Sequence, residues 1–211
     1  MRVVSVNIGE KKAIEWNGQE VFTGIYKYPV NQPIILGKED VVGDQVIDRR
    51  YHGGIDKACY IYSADHYPFW QEKYPALDWT HGMFGENITV EGLNEAQIQI
   101  GDIYSIGECR VQVTQPRQPC FKLGVRFNNQ LVLKDFINAP FPGIYVKVIE
   151  EGKVAAGDSF TLSERLHNSI GLLEVWNLLY QKDRNPDLLD FAIDFHHLAD
   201  ACRESLRKRR G

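Results

Sequence analysis

Nothing in the 211-residue chain approaches the run of ~18 apolar residues that a membrane span requires. The apolar stretch of the opening MRVVSVNIGEKK is too short and too interrupted for a secretory leader. A basic excess is also missing: 24 Lys and Arg against 28 Asp and Glu leave a net charge of −4. That balance speaks against duplex nucleic acid gripped through its phosphates. Cysteine is scarce. Cys59, Cys109, Cys120 and Cys202 lie far apart, with no C-x-x-C pair, so neither a disulfide framework nor a zinc-ligand spacing is present. The six histidines form no H-x-x-x-H pair, and there is no G-x-S-x-G nucleophile elbow. What remains is a globular chain, expected to be cytoplasmic, reduced and without membrane contact. Its 44% hydrophobic and 25% charged residues suffice for a core that needs no staples.

The first 160 residues read as short strands broken by turns. Residues 2–8 and 11–16 alternate around Gly9-Glu10, and Asn17-Gly18 then supplies the two positive φ angles of a type I′ hairpin turn before residues 20–25. Further β-rich runs are 33–36, 58–62, 87–90, 97–100, 104–106, 110–115, 144–150 and 159–163. Many short strands at this spacing predict a mainly β fold, a barrel or sandwich. Two helices interrupt it. One is capped by Asp65, carries Pro68 in its first turn and stops before Pro75; the other covers residues 131–137.

After Ser163 the texture changes. Leu172, Leu173, Val175, Trp176, Leu178 and Leu179 predict a buried helix, Asn185-Pro186 is a strong helix start, and Leu198, Cys202 and Leu206 fall four apart on one helix face. The expected organisation is a β domain over residues 1–163 and a small three-helix domain over 164–211, too small to stand alone. The closing Arg207-Lys208-Arg209-Arg210 run reads as a solvated tail.

Three segments stand out chemically. In Gln115-Pro116-Arg117-Gln118-Pro119-Cys120-Phe121-Lys122-Leu123 two prolines stiffen the backbone, a pattern that excludes helix and central strand and predicts a rigid presenting loop. Cys120 lies between Arg117 and Lys122, cations that favour the thiolate, which is both nucleophile and soft metal ligand. In His52-Gly53-Gly54-Ile55-Asp56-Lys57-Ala58 the paired glycines can form an anion nest, with His52 and Lys57 as flanking donors; the spacing is not that of a Walker A loop. In Phe84-Gly85-Glu86-Asn87 the two polar side chains can hydrogen-bond a heterocycle, or simply cap a turn.

Together these three segments resemble the MOSC family, the domain related to the C-terminal part of molybdenum cofactor sulfurases. The length and the helical tail are most similar to its YiiM branch, stand-alone bacterial proteins that end in a three-helix domain. Ile55 departs from the proline of the family pattern but removes no side-chain donor. The resemblance implies a β-barrel holding a molybdopterin-type molybdenum cofactor, with Cys120 as protein ligand to the molybdenum. It also implies reduction of N-hydroxylated compounds, including base analogues such as 6-hydroxylaminopurine, with electrons from a separate NADPH-dependent flavoprotein, and a homodimer.

Cleaving N–O takes two electrons, which a single-cysteine site does not supply, so a cofactor must carry the redox step. On that reading Lys57, Arg117 and the Gly53 and Gly54 amides hold the pterin phosphate. His52 adds a donor to the phosphate or gives a proton, and Glu86, Asn87 and Gln115 contact the pterin ring or the substrate. Two other readings use the same residues: a sulfur carrier with a Cys120 persulfide in metal–sulfur assembly, and a non-catalytic module that binds a base or nucleotide.

Overall fold

The first strand departs from the alternation its sequence predicts. Val3 and Val6, three residues apart, are both buried because the register shifts between Val3 and Ser5, while Arg2 stays in solvent. The computed structural model describes residues 1–47 and 53–210. Its strands are β1 (Arg2–Gly9), β2 (Lys12–Trp16), β3 (Gln19–Thr23), β4 (Lys27–Pro29), β5 (Ile34–Leu36), β6 (Cys59–Ser63), β7 (Ile88–Glu91), β8 (Ile103–Ile106), β9 (Cys109–Pro116), β10 (Ile144–Glu150), β11 (Gly152–Val154) and β12 (Phe160–Glu164). The helices are α1 (Tyr67–Lys73), α2 (Phe121–Arg126), α3 (Leu131–Asn138), α4 (Leu172–Tyr180), α5 (Pro186–Asp194) and α6 (Asp200–Arg210). Among the described residues no helix is long and apolar enough to cross a membrane.

Eight strands form one mixed sheet in the order β12-β8-β9-β10-β6-β7-β1-β4, antiparallel throughout except for the parallel pair β6 and β7. The two sides of this sheet curl toward each other. Val3 N–H donates to Asp158 O at 2.8 Å, Phe160 N–H to Met1 O at 2.9 Å, and Arg2 bridges Ser159. That contact is a single bridge, not a ladder, so the expected barrel is present as a strongly curled open sheet and not as a closed one. The hairpin β2–β3 pairs only with itself, its turn made by Asn17 at φ 52° and Gly18 at φ 74°.

Several local expectations need correction. Residues 97–100 form no strand. Ile98 and Ile100 bond instead to Leu172 and Ile170, the approach to α4, through an isolated bridge between Gln99 and Gly171. Asp65 does not cap α1. Ser63 caps a 3-10 turn over Ala64–His66, and the Asp65 carboxylate accepts from Gly92 N–H at 2.7 Å. The proline-rich segment is not loop alone: β9 lies between β8 and β10 and runs to Pro116, and α2 starts directly after Cys120. Proline is tolerated there because Pro116 is the last residue of its strand.

Three C-terminal helices form as predicted, except that α6 begins at Asp200, so Leu198 packs from the turn before it and not from the expected helix face. Asn185 accepts from the N–H groups of Asp187 and Leu188, with Pro186 in the first turn of α5. Their buried residues, among them Leu172, Val175, Leu189, Cys202 and Leu206, join the same apolar cluster as the sheet residues Ile61, Ile88, Val111 and Val146. A second, aromatic cluster stacks Tyr62, Trp70, Phe84, Phe127 and Phe136 under α1–α3. Trp70 is fully buried, and its indole N–H donates to Tyr62 Oη at 2.8 Å.

Candidate functional site

Cys120 sits where β9 gives way to α2, its backbone still extended at φ −126° and ψ 168°. Its carbonyl accepts from Leu123 N–H at 2.9 Å, closing the first turn of the helix. Cys120 is partly exposed, whereas Cys59, Cys109 and Cys202 are buried. Burial pushes the Cys109 thiol up to about 11, the Cys202 thiol up to about 12 and the Cys59 thiol up as well.

A cleft opens beside Cys120. Its walls come from segments remote in sequence: residues 23–27 after the β2–β3 hairpin, 44–47, 53–60, 84–87, the 117–122 segment, and Tyr145 of β10. Two close backbone approaches shape it. A Cβ on Gly24 would stand 1.7 Å from Gln45 O, and one on Gly53 would stand 2.8 Å from Val46 Cγ1. Gly53 and Gly54 both have positive φ, 73° and 81°, the open backbone that an anion nest uses. The hairpin leans on the cysteine segment, with Trp16 stacked on Phe121 at 4.7 Å.

The charge of the cleft is positive and partly uncompensated. Arg117 is 5% exposed, and its guanidinium lies 4.9 Å from the Phe136 ring and 5.7 Å from the Tyr60 ring. Nη2 donates to Phe84 O at 3.4 Å, and Nη1 is buried without a partner. A buried cation facing rings and one carbonyl is costly unless an anion completes it. Lys57 ends the 3-10 turn Ile55–Lys57 after the glycines, and burial depresses its pKa, partly offset by Cys202 of α6 and by Asp56. Lys27 is paired with Asp44 inside the wall. The Asp44 carboxylate also accepts from Gly9 N–H at 2.8 Å and Asn87 Nδ2 at 2.9 Å.

The structure therefore gathers Cys120, Arg117, Lys57, Gly53 and Asn87 around one cleft. It does not place Glu86, Gln115 or Gly54 in its walls. Glu86 is fully buried and accepts from Gly82 N–H at 2.8 Å, Phe84 N–H at 3.1 Å, Thr89 Oγ1 at 3.0 Å and the Tyr67 hydroxyl, so its carboxylate builds the 82–87 loop. Gln115 is 1% exposed; its Nε2 donates to Pro116 O and its Oε1 has no partner. The Asn87 amide is committed to Asp44, Asn7 O and Tyr60 N–H. His52 lies outside the described residues.

Lys27, Asp44, Tyr60 and Tyr145 line the cleft without having been singled out by sequence reasoning. Lys27 and Asp44 fell between the β-rich runs read from the sequence, and Tyr60 and Tyr145 read as ordinary strand residues. Among the described residues no three His, Cys, Asp or Glu side chains converge on a metal position. The donor set present, one accessible cysteine beside the buried Arg117 guanidinium, Lys57 and glycine amides, instead fits a metal brought by an anionic cofactor that supplies its other ligands.

Comparison with known proteins identifies the family of the chain. A family model described as MOSC domain matches residues 48–161. The chain is 35% identical over 208 residues to the uncharacterized protein YflK of Bacillus subtilis (strain 168), covering 99% of the chain and 94% of that relative. It is 33% identical over 175 residues to a protein of Gibberella moniliformis named "Reductase", covering 82% of the chain but 31% of that longer protein. Among solved structures it resembles YiiM from Geobacillus stearothermophilus, with a TM-score of 0.82, 32% identity, and 100% and 99% of the two chains covered.

Proposed function

The chain belongs to the MOSC domain family, in its YiiM branch, and from this we propose that it is a molybdenum-cofactor-dependent reductase of N-hydroxylated compounds, notably N-hydroxylated purine and pyrimidine bases. The observation that carries the reading is that Cys120 and the orphaned Nη1 of buried Arg117 serve one cleft. A sulfur carrier needs the cysteine but has no use for a buried guanidinium awaiting an anion.

Bound there, a molybdopterin-type cofactor supplies the two-electron chemistry that N–O cleavage requires. The chain's own residues supply the rest. Cys120, as thiolate, ligates the metal. Arg117, Lys57 and the Gly53 amide hold the phosphate by charge-assisted hydrogen bonds. The Lys27–Asp44 pair fixes the Asn87 amide and so holds the 84–87 wall against the 44–47 wall. The aromatic layer of Tyr60, Phe84 and Phe136 keeps water from the back of the guanidinium, which strengthens its hold on an anion. Electrons reach the site from a separate NADPH-dependent flavoprotein, and the C-terminal helices offer that donor a surface outside the sheet.

The test is turnover. Protein loaded with cofactor and given a chemical reductant should convert 6-hydroxylaminopurine to adenine, and Cys120→Ser should abolish that conversion. Loaded wild-type protein that leaves the substrate intact, or a variant that matches it, would contradict the reading.

A further inference from the structure

Tyr145 is placed in the middle of the sheet, in register with Tyr60 of β6 on one side and Gln115 of β9 on the other. Its ring lies 5.2 Å from that of Tyr60 at 36°, and its side chain lines the cleft together with Cys120 and Arg117. The buried tyrosines around it have spent their hydroxyls. Tyr60 donates to Pro142 O at 2.9 Å, Tyr67 to Glu86, and Tyr62 accepts from Trp70. A tyrosine hydroxyl in such surroundings ordinarily finds a partner. Tyr145, half-buried, makes no side-chain hydrogen bond among the described residues and lines the cleft that Cys120 and Arg117 also line.

We propose that Tyr145 is the proton donor to the departing oxygen of an N-hydroxylated substrate in the Cys120 cleft, an inference that rests on the reductase reading. The balance is R–NHOH + 2 e⁻ + 2 H⁺ → R–NH₂ + H₂O. The N–O bond breaks and nitrogen is reduced by two electrons that enter through the cofactor from the flavoprotein. One proton passes from the Tyr145 hydroxyl to the oxygen as it leaves, and the other comes from solvent. The phenolate recovers its proton from water at the cleft mouth.

The groups facing the hydroxyl suit this task. Burial pushes its pKa up to about 12, helped by the charges of Cys120, Cys59 and Asp44, so it is protonated when substrate arrives. Arg117 acts the other way and steadies the phenolate while it lasts. The raised pKa keeps the hydroxyl protonated but makes it a weak acid, so proton transfer depends on Arg117, the cation that opposes the rise and steadies the phenolate.

The experiment compares wild type and Tyr145→Phe, both loaded with cofactor and oxidised, in equilibrium binding to 6-hydroxylaminopurine and to adenine, and then in turnover with a chemical reductant. Molybdenum and pterin content checks that the near-isosteric variant keeps its site. The expected variant retains the cofactor and binds adenine as before. It loses about tenfold in affinity for the hydroxylamino base, as one hydrogen bond predicts, and ~10²-fold in kcat. A wild type that turns over, with a variant matching it in both assays, overturns the Tyr145 assignment and leaves the reductase reading standing. A wild type that prefers the hydroxylamino base through Tyr145 yet never reduces it overturns the reductase reading, and the proton transfer falls with it.

Discussion

Arg117 and Phe84 meet through one hydrogen bond, 3.4 Å from Nη2 to the backbone carbonyl, and among the described residues Nη1 has no partner. The guanidinium also lies near the rings of Phe136 and Tyr60. The proposed cofactor would supply the anion that such a charge lacks.

Replacing Arg117 by Met should therefore separate stability from binding. Without cofactor the variant is expected to be as stable as wild type or more so by about 1 kcal/mol, because an unpaired buried charge is removed. Its hold on the pterin should weaken by ~10- to 100-fold, the worth of a charge-assisted hydrogen bond. Denaturant unfolding and pterin retention through dialysis measure the two. Loss of stability with unchanged retention would make Arg117 a packing residue.

Lys27 and Asp44 predict the opposite pattern. Their side chains are 8% and 3% exposed, and each is the other's counter-charge. Asp44→Asn should cost ~3–5 kcal/mol in the cofactor-free protein, since it leaves a buried ammonium alone. Adding Lys27→Met should recover much of that. A double-mutant cycle by urea unfolding gives the coupling directly, and additive single effects would show the pair to be independent.

Glu86→Ala tests the reassignment of a residue that sequence reasoning placed on the ligand. Four donors lose their acceptor inside the protein, so apo stability should fall by about 3 kcal/mol or more. A residue that merely touched a ligand would leave apo stability unchanged.

The four thiols differ in a way that alkylation at pH 8 should read. One adduct per folded chain is expected, at Cys120, because Cys109 and Cys202 combine burial with thiols pushed up to about 11 and about 12. These two should stay unlabelled until the pH nears those values or the protein unfolds. Mass spectrometry of the peptides shows which sites react, and an adduct on Cys202 at pH 8 would contradict the described burial.

What could be read from the sequence follows the range of the interaction. The Asn17-Gly18 turn, the Asn185 cap and the burial of Cys202 and Leu206 on one helix face are set by neighbours within a few residues, and the structure shows each of them, although Leu198, expected on the same helix face, lies before the helix begins. Cys120, Arg117, Lys57 and Gly53 were identifiable because unusual residue types cluster locally around prolines and paired glycines. Asp44 was not, because its meaning comes from Lys27 and Asn87, 17 and 43 positions away, which only the strand order brings near. Tyr145 was hidden in a strand whose alternation looks like any other, and only its unused hydroxyl marks it. Glu86 misled because a buried acid that ties a glycine loop and an acid that binds a ligand look alike one residue at a time. The 97–100 run was misread for a related reason: its partner is the approach to α4, not a strand.

The central claim is that Cys120 and the cations beside it hold a molybdenum–pterin cofactor. The most direct measurement is molybdenum and pterin content after expression in a host that makes the cofactor, for wild type and Cys120→Ser side by side. Near-stoichiometric metal and pterin in the wild type, with the metal lost from the variant, is the predicted result. A folded wild type that carries neither would contradict the account.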